Sequence, residues 1–587
     1  MRCACGRSSS TTRSRGIAFE GEADPAGQRH APLHRLLELL GLWTFAVAQP
    51  VLSLATSSPE FFTERKTPAE AIVLFAVGII VVVPALALLA EVLADRARPG
   101  WGPGLHSGLR VLLLSAIALQ LLNELDLGAT RYVGVHAPAW SLVGVAVIAA
   151  LGTLQLLRRS DGARMFLRFL AVGSPGALLL FLASAPLGVP PAGPSVRAGW
   201  SVPIVMVVMD ELPTTSLLKT PNRLDAERLP NFARLAREGT FYPNATTVAD
   251  QTTVAVPALL SGRRGPEDIA SPDATNWPQN LFSLLNGQYR VNVREPITRL
   301  CPAEACPDAV PSTPSAVGSL ASEAPRLAVL SVAPNDSARR SPLIGGADEH
   351  DAGGEVRDFL ADVRLEDGPT LDFLHVLTPH RPWGRLPSGR TYDVPGEDEV
   401  PESVRETLDL PRDRELALDL WRAHLLQVGY ADRLLGRVID HLKRRGLYHR
   451  ALVVVAADHG VSFQPGQPLR DVTPGNVANI ASVPLFIKQP GGRGRGTDPA
   501  PAQTIDVLPT ILDVIEAPAP HGLEGRSLLA PHRGDRLVRV LSTRSGYVET
   551  TLADVRAERA RWLKAQERDV IGSDLWEQSC RLTNSGC

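Results

Sequence analysis

Four short stretches carry the side chains that can do chemistry. PIVMVVMDELP, residues 203–213, ends in Asp210 and Glu211, and ALVVVAADHG, residues 451–460, ends in Asp458 and His459. LDFLHVLTPH, residues 371–380, ends in His380. ADQTTVAVPALLSGR, residues 249–263, sets Thr252 and Thr253 ahead of an apolar stretch. Carboxylates beside an imidazole suit zinc or manganese. Calcium takes all-oxygen shells and has no use for His459, and magnesium fits less well. On its own the threonine pair reads first as a helix N-cap, and its residue types do not say whether one hydroxyl is a nucleophile.

A continuous apolar run closed by an acid or a histidine reads as a buried parallel strand with its polar residue at the carboxyl end. Amphipathic helices, such as 231–239 and 430–446, lie between these runs. Strand–helix alternation predicts an α/β fold with a mostly parallel central sheet. Ligands in such folds sit beyond the carboxyl ends of the strands. Asp210, His380, Asp458 and His459 are therefore expected at one sheet edge. His375 alternates with apolar neighbours and reads as core. His424 and His441 read as surface or packing residues and Asp432 as structural. Lys488, in LFIKQPG, is a weaker candidate for phosphate contact.

The first third is a different material. Apolar runs at about 35–56, 71–94, 111–127, 139–157 and 165–185 are each near the roughly 20 residues a spanning helix needs. A buried soluble bundle is the alternative, but five such runs in succession are hard to cover in water. Basic residues cluster in the leader (Arg2, Arg7, Arg13, Arg15) and in alternate connections (Arg96, Arg98 and Arg110; then Arg158, Arg159 and Arg164). By the positive-inside rule the N-terminus is cytoplasmic, and everything after residue 186 lies outside. Cysteine usage agrees, with Cys301/Cys306 and Cys580/Cys587 spaced as small-loop disulfides of an oxidising space. The 587 residues exceed a single core, and a net charge of −2 gives no pull toward nucleic acid. The expected domains are a leader (1–34), a transmembrane domain (35–186), a Pro/Gly tether (187–200), a catalytic domain (201–535) and a C-terminal tail with a charged helix (536–587). Oligomeric state is not legible.

The ordered set VVMDELP, LPNFARLAREGTFYPNATT, GYADRLLGRVIDHLKRRGLYHRALVVVAADHG, VPLFIKQPG and TIDVLPTILDVIEAPAPHGLEGRSLL, spread over roughly 201–530, resembles the sulfatase-like branch of the alkaline phosphatase superfamily. Five spans ahead of such a domain further resemble lipoteichoic acid synthases and bacterial phosphoethanolamine transferases. The resemblance implies an extracytoplasmic, alkaline-phosphatase-like α/β/α sandwich. It also separates the threonines. The family's nucleophile lies ten residues before a Gly, and in the phosphoethanolamine transferases five before a Pro. Gly262 and Pro257 both count back to Thr252.

The implied metal set is Asp210, Glu211, Thr252, Asp458 and His459. Glu211 matches a second acid that either serves a second metal or supports the first, and His380 is a phosphate-binding or acid–base group. Sulfatases that mature a Cys or Ser to formylglycine have no counterpart here, because the position is threonine. The implied activity is a membrane-anchored, metal-dependent hydrolase or transferase. It acts on phosphoesters, either a phospholipid or an envelope glycopolymer, through a phosphothreonine intermediate. A phosphodiesterase or sulfuric ester hydrolase on the same scaffold, or a non-catalytic binding protein, are the alternatives.

Overall fold

The computed structural model describes residues 25–566 except 58–59, 134–138, 189–194, 222, 266–270, 307–310, 333–350, 365–367, 393–409, 411, 493, 532–533, 535 and 543. The basic leader up to residue 24 and the pair Cys580/Cys587 lie outside the described residues.

Five helical runs are long and apolar enough to cross a membrane: Pro32–Ser57, Ala69–Ala97, Trp101–Asn123, Trp140–Arg159 and Asp161–Ser184, here spans 1 to 5. Pro84 lies in span 2 just after a π-turn over Gly78–Val82, and Pro50 lies in span 1 just after another over Thr44–Ala48. A proline deprives the preceding turn of an N–H donor, and the wider turn accommodates that loss without breaking the span. Between spans 4 and 5 the Ser160 hydroxyl accepts the Ala163 N–H at 3.2 Å and starts the last helix.

At the bundle end remote from the catalytic half, charged residues from four spans meet in the interior. His106 of span 3 places Nδ1 2.9 Å from Glu91 of span 2 and Nε2 3.3 Å from Glu38 of span 1. Glu38 also pairs with Arg110 of span 3 and, at 3.2 Å, with Arg168 of span 5. Glu38, Glu91 and His106 are buried. Pairing is what makes such groups tolerable at this depth.

The catalytic half is built on a seven-stranded sheet. Its strands are β1 (Ile204–Met209), β2 (Thr240–Phe241), β3 (Arg290–Arg294), β4 (Thr370–Val376), β5 (Leu452–Ala457), β6 (Leu485–Lys488) and β7 (Gly496–Thr497), in spatial order β7-β2-β6-β5-β1-β4-β3. β1 runs parallel to β4 and β5, and β3 parallel to β4; β6 is antiparallel to both its neighbours. β1 is buried on both faces, which is why it reads as one unbroken apolar run. Val205, Val207 and Met209 pack on helices α1 (Pro230–Glu238), α4 (Ala352–Asp362) and α5 (Arg414–Arg444). Ile204, Met206 and Val208 pack on α2 (Thr252–Ser261) and α6 (Val507–Val514). The result is the expected α/β/α sandwich.

The segment read as a tail is woven into this domain. Its hairpin, β8 (Leu537–Ser542) with β9 (Gly546–Thr551), lays Leu541 beside Ala249. The charged helix α7 (Leu552–Gln566) sends Arg559 inward to the carbonyl of Pro243, to Asn244 at 2.9 Å and to Ser482 at 3.2 Å.

Asp432 of α5 caps α1 from outside, accepting the N–H groups of Phe232 at 2.8 Å and Asn231 at 3.0 Å. Burial pushes its carboxyl up to about 6. Asp432→Ala leaves these donors without acceptors and is expected to cost about 1–3 kcal/mol, read as a lowered denaturation midpoint.

The two halves are in direct contact. The loop after β3 is organised by buried Glu295, which accepts the N–H groups of Leu300 and Cys301 at 2.9 Å each; the expected Cys301–Cys306 disulfide follows. This loop rests on the connection between spans 1 and 2. Thr63 donates to the Ile297 carbonyl at 3.2 Å, and Arg299 donates to the Thr67 carbonyl at 2.8 Å. Beyond it, helix α3 (Thr313–Val332) buries Leu320 and Leu327 among Phe61, Phe62, Ile72 and Phe75 of the bundle.

Candidate active site

Parallel pairing in register fixes the site. β1 and β5 end side by side, with Met209 opposite Ala457, so Asp210 and Asp458 leave the sheet as neighbours. Backbone bonds hold them: the Asp210 N–H donates to the Val376 carbonyl and the Asp458 N–H to the Met209 carbonyl, at 3.2 Å each. Gly460 must follow, because a Cβ there would stand 2.0 Å from the Asn479 carbonyl oxygen. α2 starts at Thr252, with Gln251 as its N-cap, and stops at Gly262, whose φ of +67° suits glycine. Thr252 is therefore not the cap.

The Thr252 hydroxyl points instead into the cluster. Oγ1 lies 3.5 Å from Asp210 Oδ1 and 3.2 Å from His459 Nε2. His459 Nε2 is 3.8 Å from Asp210 Oδ1 and 3.6 Å from Asp458 Oδ2. The ligand atoms of Asp210, Asp458 and His459 all fall within 4.8 Å of one another, and all three residues are buried. His459 Nδ1 sits 3.0 Å from the Gly460 carbonyl, which can only accept. Nδ1 therefore carries the proton and the Nε2 lone pair faces the acids. Asp458 Oδ1 accepts the N–H groups of His459 at 2.6 Å and Glu211 at 3.2 Å, while Oδ2 is buried with no hydrogen-bond donor. Burial, then the charges of Asp458 and Glu211, push the Asp210 carboxyl well above its ordinary range. Acceptors converging around one hydroxyl, with Asp458 Oδ2 left to face them, fit a bound cation.

Glu211 does not join this set. Its φ of +57° turns it away from Asp210. Its carboxylate meets Arg470 Nε at 2.7 Å, the Arg381 N–H at 3.4 Å and His380 Nε2 at 3.7 Å. Burial alone pushes its pKa up, but Arg470, then His380 and His459, outweigh it and bring the carboxyl down to about 2. Among the described residues, the group of close ligand atoms is that of Asp210, Asp458 and His459. His380 is held by its own carbonyl, which accepts from Gln427 Nε2 at 2.7 Å. Burial pulls its imidazole below the ordinary range.

Arg470 is the site residue that sequence reasoning missed. Glu211 is its ion-pair partner, and its side chain keeps 18% exposure at the mouth of the site. Its loop is tied down on both sides. Asp471 pairs with Arg544 at 2.8 Å, and the Val472 N–H donates to Asp250 at 2.9 Å, two residues before Thr252.

Other candidates fall elsewhere. Lys488 is buried and donates to the carbonyls of Tyr448, His449 (3.2 Å) and Ala451 (2.9 Å). Burial pushes it down to about 8. It pairs with Val453 at the amino end of β5, the edge opposite the site. His375 is core, as expected. His424 is fully buried rather than on the surface, bonded to Ser216 at 2.9 Å and stacked on Trp421.

An ulvan-active sulfatase of Formosa agariphila is 28% identical over 181 residues, covering 30% of this chain and 34% of that protein. A lipoteichoic acid synthase of Staphylococcus saprophyticus is 25% identical over 167 residues, covering 27% of this chain and 22% of that protein. The chain thus spans about a third or less of the length of these curated relatives. Among solved structures, a phosphonate monoester hydrolase from Silicibacter pomeroyi aligns with a TM-score of 0.39 at 18% identity, over 58% of this chain and 79% of that one. The family model described as Sulfatase matches residues 204–517, more than half of the chain, and the protein belongs to the sulfatase family.

Proposed function

We propose that this protein is a membrane-anchored, metal-dependent phosphoryl transferase or hydrolase that works through a phosphothreonine at Thr252. The observation that carries the reading is the Thr252 hydroxyl, set at a helix N-terminus and aimed at Asp210 and His459. Asp210, Asp458, His459 and the hydroxyl would hold one divalent cation, manganese or zinc by their mixed oxygen and nitrogen donors. Such a cation supplies a depressed hydroxyl pKa and charge neutralisation at phosphorus.

Thr252 gives up its hydroxyl proton to solvent and Oγ1 attacks phosphorus; the P–O(Thr) bond forms as the bond to the leaving oxygen breaks. The amide dipoles of α2 favour the anion gathered at its start. Arg470 holds non-bridging oxygens with the nitrogens it does not give to Glu211. His380, protonated from solvent at Nε2, passes that proton to the leaving oxygen; left neutral, it takes one from the acceptor hydroxyl in the second half, when the Thr252 oxygen leaves and regains its proton from solvent. The acceptor is a glycan or lipid hydroxyl for a transferase and water for a phosphodiesterase; the two differ in nothing else.

The substrate proposed is a lipid or envelope glycopolymer at the membrane surface. Strand β3 ends, like β1 and β5, at the site's edge of the sheet, and its loop rests on the bundle. That edge therefore faces the membrane end of the spans. The similarity to a lipoteichoic acid synthase points the same way. The alternation of basic connections supports a catalytic half outside the cytoplasm.

The deciding experiment incubates the purified protein with manganese and phospholipid vesicles and seeks a modified Thr252 by mass spectrometry. An adduct on another residue, with turnover intact, refutes the reading. Arg470→Ala is expected to lower kcat/KM on an aryl phosphodiester about 10²–10³-fold, with Arg470→Lys recovering part of it.

A further inference from the structure

Helix α3 belongs by sequence to the catalytic half, between β3 and β4, yet packs on the bundle. Its 20 residues make a rod about 30 Å long. Three points along it are tied to the bundle. Near its start, Thr313 Oγ1 donates to Glu70 at 3.0 Å, at the beginning of span 2. In its middle, Glu323 lies 4.0 Å from Arg65, in the connection before that span. At its end, the Val332 carbonyl accepts from Asn123 of span 3 at 3.2 Å, ten residues before that helix ends at Val133. The first two ties set the leading half of α3 beside the start of span 2 and the connection before it.

The faces of α3 are distinct. Ala316, Leu320, Leu327 and Ser331 are buried. Ser315, Ser319, Ser322, Arg326 and Val329 are exposed and recur at helical spacing as one stripe. Small hydroxyls and a single cation suit neither hydrocarbon nor a dry protein contact. They suit the polar layer where spans emerge, with the arginine stem lying along apolar surface and its head at phosphate level.

We infer that α3 is an in-plane interfacial helix whose free face contacts the headgroup layer of the leaflet on the catalytic side, with Arg326 meeting lipid phosphate. The occupant follows from continuity: the buried face of α3 sits on spanning helices at their ends, so its neighbouring stripe shares their depth. The inference rests on spans 1 to 3 crossing a bilayer and not on the chemistry at Thr252.

The test uses the full chain in lipid nanodiscs, with Cys3, Cys5, Cys580 and Cys587 replaced by serine. Spin labels are placed through Ser319→Cys or Ser322→Cys. References are Arg433→Cys on the exposed side of α5 and Ile148→Cys, whose side chain is 72% exposed on span 4. Collision with a water-soluble nickel chelate is expected to be several-fold lower on α3 than at the Arg433 reference. Oxygen accessibility is expected to stay several-fold below the Ile148 reference. Nickel accessibility equal to the Arg433 reference, or oxygen accessibility equal to the Ile148 reference, overturns the assignment. Adding Arg326→Glu should raise nickel accessibility at Ser322→Cys about twofold in phosphatidylglycerol discs and leave phosphatidylcholine discs unchanged, by the loss of one phosphate contact. An equal response in both lipids, or none in either, removes the role of Arg326. Neither readout depends on catalysis, so failure here leaves the proposed reaction standing, and an inactive protein leaves this inference standing.

Discussion

Thr252→Ala is expected to lower turnover of an aryl phosphodiester by at least about 10⁴-fold, equivalent to about 5 kcal/mol of barrier. The magnitude follows from the geometry. The Thr252 hydroxyl is the nucleophilic side chain that reaches the cluster, bonded to Asp210 and His459. Nothing adjacent replaces it, since α2 is a regular helix from that residue on and Thr253 lies a third of a turn away. Thr253→Ala should stay within a few-fold of the parent protein. Thr252→Ser keeps an oxygen in place but loses the β-branch that fixes its rotamer, so it should recover part of the rate. Loss of activity in the Thr253 variant with retention in Thr252→Ala would reverse the assignment. The apolar residues of α2 are untouched, so the denaturation midpoint should move little, which separates lost chemistry from lost fold.

The second large effect is on metal retention. Asp458 has two jobs, one per oxygen: Oδ1 holds the backbone of Glu211 and His459, and Oδ2 faces the cluster without a donor. Asp458→Asn can keep the first arrangement while its amide nitrogen takes the place of Oδ2. A cation there loses a ligand and meets a positive dipole instead. Affinity for manganese or zinc should fall by at least about 10²-fold, since changing even an outer partner of a metal ligand costs 10–100-fold. Dialysed protein assayed for bound metal gives the answer, with Asp440→Asn on the outer face of α5 as the control. Undiminished metal binding in Asp458→Asn would remove Asp458 from the proposed ligand set.

Much of this site could be read from the chain because its strands are parallel and doubly buried. Such strands appear as plain apolar runs, and the first polar residues after them must come out at one edge. That logic delivers Asp210, Asp458, His459 and the neighbourhood of His380. It fails for Lys488 because β6 is antiparallel, so the residue closing that apolar run emerges at the other edge. Arg470 carries no local signal. It follows a turn-rich loop, and its position depends on Asp250 and Arg544, which are 220 and 74 residues from it in sequence. The role of β8 beside Ala249 and the seating of α3 on the bundle are long-range in the same sense. Periodicity describes what a segment buries, and it is silent about which distant surface does the burying.

The ionic layer of the bundle has a consequence for how the protein is made. Glu38 lies in span 1, and one of its arginines, Arg168, follows 130 residues later. At roughly 5–20 residues per second, that interval is roughly 6 to 26 seconds, during which the carboxylate lacks its last partner. The ionic cluster that begins in span 1 is thus completed by spans 3 and 5. Substitutions at Arg110 or Arg168 should therefore appear first as newly made chains that are misinserted and degraded, before any defect in the finished enzyme can be measured.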